Sequence, residues 1–139
     1  MDALFKTIIA GSGAVITFLL GGWTNLMTVL LVFILIDFAL GVTLAGKNGK
    51  LTSREMWFGV TRKLGSLAIV AVAHMLDTIL GDAHLIRDAA IFFYLAGELL
   101  SLTENAGQLG IPIPSVVSKA VEVLRGKSGE KIDTDQTHQ

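Results

Sequence analysis

The chain has 139 residues, of which 52% are hydrophobic and 17% charged, with a formal net charge of −1 and a mean hydropathy of +0.64. So small a body cannot hide that much apolar surface from water, which excludes an ordinary soluble domain and makes a membrane the implied solvent. A near-neutral charge gives no reason to expect a nucleic-acid partner, and the absence of cysteine excludes a disulfide framework, a thiolate nucleophile and a Cys-ligated metal.

The first apolar block runs from Leu4 to Gly22, is rich in glycine and carries Lys6 near its start. No small-x-small cleavage site follows it, so it reads as a retained span rather than a signal peptide. The second block, Trp23 to Ala45, is broken by Asp37 alone and closed by a GKNGK turn, which makes it the strongest membrane helix. The third spans residues 57–80, with Arg62 and Lys63 near its start and His74 and Asp77 near its end. The fourth covers residues 83–104 and contains Arg87, Asp88 and Glu98, so it and the third should each keep one face against protein.

After the spans, Pro112 and Pro114 stop the helix. Ser115 suits an N-cap for a short amphipathic helix, within residues 111–126, in which Val116, Val117, Ala120, Val121 and Leu124 oppose Ser118, Lys119, Glu122 and Arg125. That helix can lie on the membrane surface or pack on a partner. Residues 127–139 are polar and expected to be disordered. The fold class is therefore all-α: a polytopic membrane protein with three to four transmembrane helices, four favoured, within residues 1–110, followed by the amphipathic helix. With four spans and a cytoplasmic N-terminus, ten of the eleven basic residues fall inside and Arg87 alone outside, in keeping with the positive-inside rule. The C-terminus is then cytoplasmic.

The polar residues inside these blocks are the candidate functional groups. On the fourth helix Arg87, Tyr94, Glu98, Ser101, Asn105 and Gln108 fall in one stripe roughly 80° wide, suited to lining a pore or an assembly face. An unpaired Asp37 at its depth would cost at least about 2.5 to 3.5 kcal/mol, so it should be paired, protonated or facing a cavity. A charge cluster of Asp37, Arg62, Lys63 and Glu98 is expected, with Arg62 favoured as the ion-pair partner because its fork can serve two carboxylates. Such a cluster either holds the bundle together or takes part in conduction. His74 and Asp77, three apart, form an outer-side polar pair, read as a hydrogen bond because two ligands do not make a metal site. Gly41 and Ala45, Ala10 and Ala14, and Gly65 with Ala68 provide small residues for close helix packing. No catalytic constellation appears with its required context, so neither an enzyme, nor a cofactor, nor a metal is expected.

The stretch FYLAGELLSLTENAGQLGIPIP, Phe93 to Pro114, resembles the closing motif of the phage-lysis and toxin-secretion holin family: a tyrosine, a glutamate, Ser-x-x-Glu-Asn and a terminal Gly-x-Pro-x-Pro. Asp37-Phe38-x-x-Gly41, the basic turn with Leu51-Thr52-Ser53, Gly59-x-x-Arg62-Lys63 and Ala73-His74-x-x-Asp77 fit the same pattern, so the resemblance covers roughly residues 31–124. The first block departs from a typical three-span member. The resemblance implies a non-enzymatic protein of the bacterial cytoplasmic membrane that forms homo-oligomers and opens holes releasing an endolysin or a toxin, with room for an antiholin partner. Two other readings remain open: an ion or proton channel using Asp37, His74 and Glu98 as a relay, and a membrane adaptor whose amphipathic helix docks a soluble partner.

Overall fold

The computed structural model describes residues 1–123; the expectations attached to Leu124, Arg125 and residues 127–139 lie outside the described residues. The helices are α1 (Asp2–Leu19), α2 (Asn25–Lys47), α3 (Ser53–Leu80) and α4 (Leu85–Gln108), followed by a helical segment over residues 115–123. No strand occurs among the described residues.

Local chemistry sets the helix ends. Thr24 and Thr52 are extended N-caps whose hydroxyls accept from the amides of Met27 and Glu55, so each satisfies one donor left open in the first turn. Gly81, at φ 74°, ends α3 in a left-handed conformation that glycine adopts without strain. The α4 N-cap, His84, makes no side-chain cap bond. Asp77 supplies the missing acceptor from the preceding helix, taking the Ile86 and Arg87 amides at 2.9 and 2.8 Å. Around residue 115, the Pro114 carbonyl accepts from Val117 and Ser118. Pro114 is therefore the half-in residue, and Ser115 stands in the first turn rather than at the cap expected for it.

The short connections fold α2, α3 and α4 back on one another. Contacts concentrate between α2 and α4 and between α3 and α4, while α2 and α3 barely touch, so α4 is the central element. A small apolar cluster of Leu20, Met27, Leu30, Ile34, Val70 and Ile91 fills one end. Elsewhere the pattern is inside out. Asp37, Asp77 and Arg87 are buried at 5%, 1% and 2% exposure, while Leu35, Phe93 and Ile79 are exposed at 67%, 74% and 78%. Apolar outside and polar inside suits hydrocarbon as the solvent, where helix association rests on close packing and interhelical hydrogen bonds.

Three helices, α1, α2 and α3, are long and apolar enough to cross a membrane. The fourth has 24 residues, about 36 Å against a hydrocarbon core of about 30 Å, and accommodates its charges by lying against α2 and α3. In contrast, α1 has no buried residue along its length. Its C-terminal end is held firmly: Leu20 enters the apolar cluster, and Arg87 Nη1 donates to the carbonyls of Gly21 at 2.7 Å and Leu20 at 3.4 Å. Gly21 has φ +79°, and a Cβ there would overlap the His74 ring. Loss of the Asp77 cap leaves two buried amide donors open, so Asp77→Ala should destabilise the bundle by about 2 kcal/mol. Thermal unfolding in detergent checks this, and an unchanged melting temperature would contradict the capping role.

Candidate functional site

Asp37, Lys63 and Glu98 each stand ten residues from the same end of the bundle, marked by Lys47, Ser53 and Gln108, about 15 Å at 1.5 Å per residue. Equal depth on three helices lets one ammonium group serve two carboxylates. Lys63 Nζ donates to Asp37 Oδ2 at 2.6 Å and to Glu98 Oε2 at 2.5 Å. Asn105 Nδ2, two turns beyond Glu98, donates to Asp37 Oδ1 at 3.0 Å. Both Asp37 oxygens are thereby satisfied, which offsets the cost of withdrawing the charge from water.

The ion-pair partner is Lys63, not the favoured Arg62. Neighbouring residues on a helix point about 100° apart, and here position 63 turns inward while Arg62 stays exposed. The flexible Lys63 stem brings a compact charge with three donors between two carboxylates, a geometry that needs no planar fork. Arg62 makes no ion pair among the described residues, although its side chain borders the same space.

That space is a cleft of about 750 Å³. It opens where α2 and α3 separate, with α4 as its floor. Tyr94, Glu98, Ser101 and Asn105 of the polar stripe line it, together with Asp37 and Lys63. The other two stripe residues do not. Gln108 is exposed beyond it, and Arg87 is buried at the opposite end, bound to the α1 terminus and to Asp88 at 2.9 Å. Arg87 is thus a latch within the chain rather than part of a continuous polar wall. Gly41, Ala45 and Gly65 also border the cleft. A Cβ on Gly65 would meet nothing within 4 Å, and one on Gly41 would reach only Asn105 at 3.6 Å. Gly65 therefore widens the cleft rather than bringing two helices close, contrary to its expected packing role.

His74 and Asp77 do not form the expected hydrogen bond. Asp77 caps α4, and the His74 ring stacks on His84 with centroids 5.6 Å apart. His74 lies eleven residues along α3 from Lys63, about 16 Å, so it does not join a direct relay with Asp37 and Glu98. No group able to hold a metal ion occurs among the described residues. Of the amphipathic segment, Val121 is buried and Val117 half-buried, while Val116 is exposed at 77%.

Removing one member of a buried pair strands its partners, so Lys63→Met should destabilise the bundle by about 3–5 kcal/mol. Asp37→Asn should cost less, because Lys63 keeps Glu98, and Arg62→Gln should stay within about 0.5 kcal/mol. Thermal unfolding in one detergent compares the three, and equal losses for Arg62→Gln and Lys63→Met would contradict the pairing.

Comparison with known proteins places this architecture. The chain is 40% identical over 131 residues to an uncharacterized protein of Halalkalibacterium halodurans, covering 91% of this chain and 97% of that one. It is 37% identical over 114 residues to a probable holin of Bacillus phage phi105, covering 82% and 84% respectively. An uncharacterized protein of Clostridium perfringens is 35% identical over 120 residues, with 86% and 89% covered. No solved structure matches. The bacteriophage holin family matches residues 14–126, a range that contains α2, α3, α4 and the cleft. A holin-like role for a multi-pass protein of the bacterial inner membrane follows, and the chain belongs to the bacteriophage holin family.

Proposed function

We propose that the chain acts as a holin in the full sense: it accumulates in the bacterial cytoplasmic membrane with its C-terminus inside, associates laterally, and opens holes through which an endolysin or a toxin leaves. The observation that carries this reading is the cleft of about 750 Å³ whose walls hold Asp37, Lys63, Glu98 and Asn105. A single chain shelters these groups between helices whose outer faces are apolar. Once several chains associate, the same helices can turn lipid-facing surfaces outward and present their polar groups to water.

The cluster combines two carboxylates with one ammonium group, a net negative site. That observation favours a second reading, a small cation-selective channel. The two differ in what they pass, since a channel conducts ions and a hole passes folded protein.

Controlled expression in bacteria, with and without a cytoplasmic cell-wall hydrolase, tests the proposal. Abrupt loss of turbidity should occur only in the paired culture, while a folded reporter enzyme should cross the membrane in both. Ion leakage without enzyme release would favour the channel instead. Glu98→Leu should insert normally and fail to lyse, because it removes an acceptor that a polar assembly face needs; lysis at the normal time would make Glu98 a bystander. A reporter fused after Gln139 should read cytoplasmic and one in the Gly81–His84 connection external; a cytoplasmic reading there would overturn the topology.

A further inference from the structure

The residues that the bundle leaves unused are those of α1. This helix is apolar over 18 residues and has none buried. Among the described residues it approaches the bundle through α3, with Phe18 and Leu19 at its C-terminal end bordering a small hollow shared with His74, Met75 and Thr78. Those α3 positions lie roughly a third of a turn from the face that lines the cleft. The chain's own α1 is thus tethered on a different side of α3 from its own cleft.

Charge and depth match between the two unfilled surfaces. Lys6 is thirteen residues from Leu19, while Asp37 is twelve from Asn25 and Glu98 thirteen from Leu85. All three therefore lie about 18–20 Å from the end of the bundle where α1 is latched. Asp2 lies four residues from Lys6, about 6 Å nearer the opposite end, a step that the long Arg62 side chain can span. The cleft carries Asp37, Glu55 and Glu98 against Arg62 and Lys63, an excess of one negative charge with no further cation in its lining among the described residues. Lys6 and Arg62 make no ion pair among the described residues.

We infer that α1 of one copy seats in the cleft of a second copy, Lys6 facing Asp37 and Glu98 and Asp2 facing Arg62. Each chain then supplies one helix and receives another. Because the helix given and the cleft filled are on different sides of α3, the contact is head-to-tail and propagates from copy to copy, closing into a ring if the rotation permits. The inference rests on the holin reading only in making this contact the one that builds the assembly.

The absence of cysteine makes disulfide trapping direct. Two differently tagged copies, one bearing Ala3→Cys and the other Gly59→Cys, are expressed together, and the membranes are oxidised. Gly59 lines the cleft, and a Cβ there makes only ordinary contact with the Phe38 ring at 3.7 Å. A mixed-tag dimer is expected. Asp2→Arg in the first copy should lower its yield several-fold at equal membrane abundance, and adding Arg62→Asp to the second should restore it. Disulfides between two Ala3→Cys copies without mixed-tag dimer, or a yield indifferent to the charge reversals, would overturn the inference. Lysis without the cross-link sinks this contact and leaves the holin reading intact; the cross-link without lysis does the reverse.

Discussion

One ammonium group held between two carboxylates inside a membrane bundle is the constraint on which the rest of the structure depends. Lys63 of α3 reaches Asp37 of α2 and Glu98 of α4, and none of these groups can be left alone in hydrocarbon without a cost of several kcal/mol. The three helices are therefore fixed in register at one depth. Asn105 completes the Asp37 shell, so the α4 face that begins at Tyr94 must look toward α2. The cleft is a consequence: α2 and α3 meet through charges carried by α4 and by the long Lys63 stem, rather than through packed small side chains.

The opposite end of the bundle is built on a different logic. There the polar groups satisfy backbone: Asp77 accepts from the amides that begin α4, and Arg87 donates to the carbonyls that end α1. Both residues are buried. The bundle is thus closed by backbone capping at one end and open around side-chain charge at the other. This division suits a membrane protein of the bacteriophage holin family.

Much of this was legible in the residues. Long apolar blocks gave helices, and the isolation of Asp37 in the strongest block required it to be paired, protonated or facing a cavity. The polar stripe on α4 was visible as a periodicity, and four of its six members line the cleft. What the sequence could not resolve was which of two adjacent basic residues turns inward, because Arg62 and Lys63 differ by one step of about 100° and small changes in helix rotation exchange them. Arg87 shared the period of the stripe yet belongs to the latch, since periodicity reports direction and not which neighbour lies there. The Asp77 cap had one readable signal: α4 begins after His84, without a Ser, Thr, Asp or Asn at its N-cap, so its acceptor had to come from elsewhere. Thr52 with Glu55 carried the spacing of a capping box that marks the start of α3.

The proposed function gives the Asp37–Lys63–Glu98 cluster a role in opening beyond its role in fixing helix register. Buried ion pairs replaced together by apolar residues of similar volume often leave stability unchanged or improved, so the triple variant Asp37→Leu, Lys63→Met, Glu98→Leu separates the two roles. Thermal unfolding and reporter-enzyme release should be measured on the same membranes at equal abundance. The account predicts a melting temperature at or above that of the native chain, with no release of the enzyme. Release at the native time would contradict it.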